Sequence, residues 1–236
     1  EEIMYNYLRS IDPYVVSHSL IHSANWNLLS ELIGQMSEKS FLSVSDRFIA
    51  DLEKFPTGFT TGKQFSEASL NLLIHGMRYL QFSNSSLERF EEGADFIKSL
   101  AKFFYKCENE NLYLSYCDVI NQLLLSLAGT LTAEVNHPTW VDAVKIIYSK
   151  SIVIANANTT KYWGSAITLA VTTLSVAPKE TFESQWKGVV DNITKRLKPK
   201  ATASEKLIVI TCVTRLTWAY LFRYQDTLNS KTRSME

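Results

Sequence analysis

The sequence predicts an all-α fold, a HEAT- or armadillo-like helical-repeat solenoid built from antiparallel helix pairs. Glycine and proline are sparse, with 8 and 5 among 236 residues, whereas sheet-rich folds usually need more turn residues. Apolar residues recur mainly at the helical period. From residue 62 onward the expected helices fall into pairs of about 40–47 residues, the length of a HEAT or armadillo unit. These features favour long helices that are joined by short loops and stacked as repeats.

The helical period is clearest between residues 87 and 106. Apolar side chains recur there at alternating steps of three and four, and charged residues occupy the other side. The same spacing returns over residues 140–154 and 182–197, where Glu183, Lys187, Asp191 and Lys195 are expected to face outward. Capping boxes mark three helix starts: Thr61 with Gln64, Ser85 with Glu88, and Thr202 with Glu205. Periodicity and caps therefore agree on a helical chain.

The whole chain, residues 1–236, is interpreted as one helical-repeat segment of a longer protein. The predicted helices cover residues 3–10, 13–23, 25–37, 44–54, 62–82, 86–106, 110–131, 138–156, 161–177, 179–197 and 203–225. The predicted pairs are 62–106, 110–156 and 161–197, with 203–225 opening the next pair.

Two apolar stretches leave an alternative open. Ala166–Val176 and Leu207–Val213 are rich in β-branched residues and are also compatible with buried strands. Helix is favoured because their neighbours are strongly helical and no hairpin turn stands beside either stretch. Since residues 207–222 are apolar nearly all round, that helix is expected to lie between two layers of neighbours.

Charge and cysteine content exclude several classes of function. Lys plus Arg and Asp plus Glu number 24 each, so the neutral chain has no electrostatic footprint for nucleic acid or an anionic membrane. Three cysteines without a C-x-x-C pair indicate reduced thiols in an intracellular protein. No stretch reaches the roughly 18 apolar residues that a membrane span requires. We therefore expect a cytoplasmic protein without membrane insertion.

The motifs closest to catalytic or metal sites are each incomplete. His18 and His22 have the spacing of half a zinc site, but no Glu follows the first His and no further ligands cluster nearby. Gly58–Gln64 is too short between its glycines for a phosphate loop. Glu91 and Asp95 are interpreted as part of a solvated helix face. The chain is therefore predicted not to be an enzyme, with no catalytic residue, metal or cofactor.

Binding residues are the better candidates. The basic run 195–200 contributes Lys195, Arg196, Lys198 and Lys200, which suit a phosphate or an acidic partner but also suit a helix C-terminus, where the dipole favours cations. Most of the five tryptophans are expected in the core, with one or two as partly exposed anchors.

Three segments in the C-terminal third carry a family resemblance. They are Phe182-x-x-x-Trp186, Leu197-Lys198-x-Lys200 and Arg215-Leu-Thr-Trp218-Ala-Tyr220-Leu-Phe-Arg223. They resemble the N-terminal region of the Furry family of cell-morphogenesis proteins, and the segments 48–52 and 72–80 are collinear with it. The resemblance covers residues 44–236, and the divergence over 107–165 indicates a fungal rather than an animal member.

The resemblance implies a very large, non-enzymatic scaffold of helical repeats. Such a scaffold would work with NDR/LATS-type kinases and Mob coactivators, or an upstream kinase, in cell polarity, morphogenesis and cell separation. It would act at sites of polarised growth or the cell cortex. Arg215 and Arg223, nearly on one helix face, are expected either to pair with acidic groups of a partner or to bridge to the next repeat. The alternative function is a structural spacer whose binding sites lie elsewhere.

Overall fold

The computed structural model describes residues 2–55, 66–157, 160–197 and 201–233. Within these ranges there are eleven α-helices and no β-strand, which confirms the predicted all-α class. Both β-branched stretches are helical. The helices are α1 (Glu2–Ser10), α2 (Pro13–His18), α3 (Leu20–Ser37), α4 (Phe41–Glu53), α5 (Glu67–Gly76), α6 (Leu87–Lys106), α7 (Glu110–Leu125), α8 (Pro138–Asn156), α9 (Thr160–Ser175), α10 (Lys179–Arg196) and α11 (Ala203–Arg233).

The chain divides into two compact units, and unit 1 spans Glu1–Ser126. In unit 1, α4 packs on α6 and α5 packs on α7. The amide of Asn109 donates to Glu67 at 2.8 Å, and the hydroxyl of Ser115 donates to Asn71. Both contacts join α5 to α7 and the residue numbers rise together, so these two helices run parallel. The partners are 42 and 44 residues apart.

Unit 2, Leu127–Glu236, is arranged around α9. The indole N–H of Trp140, at the start of α8, donates to the carbonyl of Val176, just after the end of α9, at 2.9 Å. Helices α8 and α9 are therefore antiparallel. Thr168 approaches Cys212, and Arg215 donates to Thr172, which sets α11 parallel to α9 with partners 44 and 43 residues apart.

Alternate helices thus stack in parallel at the same sequence interval in each unit. This interval lies within the length of about 40–47 residues that is typical of HEAT and armadillo units. The helical-repeat class is confirmed. Because α9 packs against α8, α10 and α11 alike, the helices can be grouped into pairs in more than one way, and the predicted boundaries 62–106, 110–156 and 161–197 stay predictions.

One predicted helix divides at Ser19. Residues 13–23 were expected to be continuous, but α2 ends at His18 and α3 begins at Leu20. Ser19 has an extended backbone (φ −128°, ψ 117°), and its side chain accepts from the backbone N–H of His22. A serine in this conformation is a good N-cap, which competes with continuing the helix. His18 and His22 consequently do not share a helix.

The helix caps agree with the sequence in one case and differ in another. Thr202 and Glu205 form the full reciprocal box: the N–H of Thr202 donates to Oε2 of Glu205 at 2.8 Å, and the N–H of Glu205 donates to Oγ1 of Thr202 at 3.2 Å. The predicted box of Ser85 and Glu88 is wrong by one residue, because Ser86 is the cap of α6. Thr61 and Gln64 lie outside the described residues.

A pair of glycine substitutions tests the packing within each unit. A Cβ built at Gly34 in α3 would overlap the backbone carbonyl of Tyr79, so Gly34→Ala is expected to lower the free energy of unfolding by about 1–3 kcal/mol. A Cβ at Gly188 in α10 would meet nothing within 4 Å, so Gly188→Ala is expected to stabilise by about 1 kcal/mol. Native-state hydrogen exchange measures each effect in its own unit. Equal effects of the two substitutions would contradict the described packing.

Candidate protein-interaction surface

The basic run begins in the last turn of α10. Lys195 is exposed, whereas Arg196 is half-buried and its guanidinium lies 5.3 Å from the centre of the Trp163 ring. Lys198 and Lys200 lie outside the described residues. The indole N–H of Trp163 donates to Asn192 at 3.1 Å, which fixes the ring beneath Arg196. Lys195 therefore presents its charge to solvent, while Arg196 also anchors the end of α10 to α9.

The outward face of α10 carries both positive and negative charges. Its residues recur every four positions and are all exposed, as predicted: Glu183, Lys187, Asp191 and Lys195. The opposite face is buried through Phe182, Val189 and Ile193. This division is that of a solvated amphipathic helix. We name this outward side of α10 the charged face.

Arg223 is directed into unit 2. Its guanidinium donates to the carbonyls of Leu174 at 3.1 Å, Ser175 at 3.0 Å and Ala177 at 2.6 Å, and lies 4.9 Å from the centre of the Phe182 ring. These carbonyls lie at and just after the C-terminus of α9, where helix geometry leaves acceptors unpaired and the dipole favours a cation. Burial lowers the pKa of Arg223 to about 10, so the side chain remains charged at neutral pH.

Arg215 is also used within unit 2. It donates to Oγ1 of Thr172, and burial lowers its pKa, partly offset by the neighbouring Cys212. Arg215 and Arg223 both bridge back to α9 or its C-terminal end within unit 2, a contact that neither of the two interpretations named. Pairing with a partner and bridging to a following repeat stay predictions. The sequence placed both residues nearly on one helix face, but spacing alone does not tell which neighbour that face meets.

The outward face of α11 is apolar. Leu207 is 65% exposed, Ile210 62%, Trp218 70% and Leu221 44%. Exposed threonines, Thr214 and Thr217, lie between them at helical spacing. We name these six residues the α11 face. Arg215 is the one charged residue between positions 207 and 222, and it faces α9. The α11 face therefore consists entirely of uncharged side chains.

The tryptophans follow the expected division. Trp26, Trp140 and Trp163 are buried, Trp186 is half-buried and Trp218 is exposed. Three of the five thus belong to the core, and Trp218 is an exposed aromatic of the α11 face. This outcome confirms the expectation of one or two partly exposed tryptophans.

The polar groups considered for catalysis have local partners. Nδ1 of His18 lies 2.9 Å from the carbonyl of Tyr14, and Nδ1 of His22 lies 2.8 Å from the hydroxyl of Ser19. The described residues include no group of three or more His, Cys, Asp or Glu side chains placed to hold a metal ion. The sequence Gly58–Gln64 lies outside the described residues.

Sequence patterns did not indicate a groove in unit 1. It has a volume of about 560 Å³ and is lined by α2, the junction between α2 and α3, and α5. Tyr14, His18 and Asn71 are among its polar lining, and no acidic residue is among the described residues that line it. The groove brings together residues distant in sequence without any motif, so spacing could not have predicted it.

Parallel stacking of alternate helices, with contacting partners 42 to 44 residues apart, defines a helical-repeat protein. None of the helices in the described ranges is long and apolar enough to cross a membrane. The chain belongs to the cell morphogenesis N-terminal family, whose profile matches residues 1–236. It is 48% identical over 235 residues to the cell morphogenesis protein PAG1 of Saccharomyces cerevisiae. The alignment covers 100% of this chain and 10% of that protein.

A second relative gives the same assignment. The cell polarity protein mor2 of Schizosaccharomyces pombe is 32% identical over 225 residues, covering 95% of this chain and 10% of that protein. The chain thus spans about a tenth of the length of these curated relatives. No solved structure matches it. The resemblance to the Furry family and to its fungal members is confirmed, and the family match includes residues 1–43.

Proposed function

We propose that this chain is a non-catalytic scaffold segment that helps to hold an NDR/LATS-type kinase, a Mob coactivator or both, or an upstream kinase. The segment would act in cell polarity, morphogenesis and cell separation. It would do so in the cytoplasm, at sites of polarised growth or the cell cortex. The family of morphogenesis and polarity proteins supports the process. The kinase and Mob partners rest on the resemblance to the Furry family.

The observation that carries the proposal is the charged face of α10 together with the basic run that follows. Lys195 is exposed at the C-terminus of a helix whose opposite side is buried, so α10 offers a rigid support for its outward charges. Lys198 and Lys200 follow within five residues. A cluster of lysines suits an acidic or phosphorylated surface, for which charge complementarity raises the association rate and the specificity.

Charge reversal tests this assignment. The triple variant Lys195→Glu, Lys198→Glu and Lys200→Glu is expected to weaken binding of a purified kinase–Mob complex by about tenfold or more, because attraction becomes repulsion. Arg196 is left unchanged because it packs on Trp163. Surface plasmon resonance at two salt concentrations measures the affinity, and binding by the unaltered chain should weaken as salt rises.

A matched control is a second triple reversal at exposed lysines elsewhere, Lys102→Glu, Lys106→Glu and Lys145→Glu. It changes the net charge equally and is expected to leave the affinity nearly unchanged. An equal loss of affinity in both variants would show that net charge alone, rather than the basic run, determines the binding. Absence of binding by the unaltered chain to the kinase, to Mob and to their complex would overturn the proposal.

The alternative function is a structural spacer. The contacts of Arg215 and Arg223 favour this alternative, because both side chains bind carbonyl or hydroxyl groups within unit 2. Under this alternative, reversal of the lysines would leave kinase–Mob binding by the full-length protein unchanged.

A further inference from the structure

Helix α9 shows what a helix covered on several sides looks like in this protein. Its residues from Tyr162 onward carry no charge, and every residue from Leu169 to Pro178 is buried. Helices α8, α10 and α11 pack around it. In α9 the absence of charge therefore accompanies coverage by neighbours on several sides, as expected from the cost of burying ionised groups.

Between positions 207 and 222, helix α11 is similarly poor in charge, with Arg215 as its one charged residue, but it is covered on one side. Val209, Cys212, Leu216 and Ala219 are buried. The α11 face, on the other side, holds side chains that are apolar or carry only a hydroxyl group. The charged face of α10 shows how the same unit builds a helix surface that faces water. The α11 face thus resembles an interior surface rather than a solvent-facing one.

The way in which helices stack in this chain indicates what covers the α11 face. In unit 1, α7 lies parallel on α5 with partners 42 and 44 residues later in the sequence. In unit 2, α11 lies on α9 in the same way, 44 and 43 residues later. The relatives are about ten times as long as this chain, so further helices of the same polypeptide would be available at high effective concentration.

We propose that the α11 face is the docking surface for the next helices of the full-length protein, which follow α11 in sequence and cover Leu207, Ile210, Trp218 and Leu221. Stacked repeats require such coverage, since each repeat buries its apolar face against its neighbours. The inference concerns assembly of the polypeptide with itself and stands independently of the kinase and Mob proposal.

Thiol reactivity at two positions tests the proposal. Trp218→Cys places a thiol on the α11 face, and Lys187→Cys places one on the charged face as the matched control. Each variant is made in the 236-residue chain and in the full-length protein, and alkylation by iodoacetamide is followed at each site by peptide mass spectrometry. In the full-length protein we expect the thiol at position 218 to react at about one tenth of its rate in the 236-residue chain, or more slowly still. The thiol at position 187 should react at the same rate in both.

Three other results would overturn the proposal. Equal rates at position 218 in the two lengths would show an uncovered face. Slow reaction in the 236-residue chain that speeds up on dilution, with a dimer seen by light scattering, would assign the face to a second copy. Fast reaction in the full-length protein that slows only when kinase–Mob complex is added would assign it to that partner. Hydroxyl-radical oxidation of the native Trp218 in both lengths repeats the comparison without any substitution.

Discussion

Trp140→Ala is expected to lower the free energy of unfolding of unit 2 by about 3–5 kcal/mol, the largest effect among the substitutions considered. Trp140 is 0% exposed, and its removal leaves a large cavity between α8 and α9 as well as the loss of a buried hydrogen bond. Native-state hydrogen exchange of amides in α8 and α9 reports this free energy for unit 2 by itself.

Two further substitutions separate the causes. Trp140→Phe keeps most of the buried ring but removes the donor that reaches the carbonyl of Val176 at 2.9 Å, so we expect a loss of about 1–3 kcal/mol. Trp218→Ala, at an exposed position of the same unit, should change the stability of the 236-residue chain by no more than about 0.5 kcal/mol. If Trp218→Ala lowered the free energy of unfolding as much as Trp140→Ala does, the result would contradict the described burial of the two side chains.

Arg223→Ala is expected to have the second largest effect, a loss of about 2–4 kcal/mol in the free energy of unfolding of unit 2. The change removes a charged donor from three carbonyls at and after the end of α9, of which that of Leu174 also accepts from the backbone N–H of Ala177 at 3.3 Å. Buried acceptors that lose their donor are costly. Arg223→Lys should recover part of the loss, since an ammonium keeps the charge but not the planar fork. The midpoint of unfolding in urea, followed by hydrogen exchange in α9 and α11, measures both variants.

Lys206→Ala is the control for Arg223, because Lys206 is an exposed cation on the same helix. Its effect should stay within about 0.5 kcal/mol. If Arg223→Ala left the stability unchanged and abolished kinase–Mob binding instead, the side chain would be a partner contact, and its assignment as an internal bridge would be wrong.

The helical class could be predicted because local physics determines it. Apolar spacing in α6, α8 and α10 follows the helical period, and proline at the start of α8 and the Thr202–Glu205 box fix two helix starts within a residue or two. The break at Ser19 was missed because serine is tolerated within a helix and preferred at its cap, and the sequence contains no proline or glycine to decide between them there.

The candidate surface was only partly predictable, for a different physical reason. Helical spacing shows which residues share a face, as it did for Glu183, Lys187, Asp191 and Lys195, but not what the face meets. Arg215 and Arg223 illustrate the difference, since their partners on α9 are 43 to 49 residues away. The expectation that residues 207–222 lie between two layers rested on composition. The structure shows one of those layers, which α9 and α10 form against the buried side of α11.

Hydrogen–deuterium exchange of the full-length protein, with and without a kinase–Mob complex, tests most directly the claim that this segment combines an internal docking face with a partner-binding face. The account predicts that peptides of α11 exchange more slowly in the full-length protein than in the 236-residue chain, whether or not the complex is present. Peptides spanning the end of α10 and the basic run should slow only when the complex is added. Identical exchange of α11 at both lengths, together with no change at residues 191–200 on adding the complex, would contradict it.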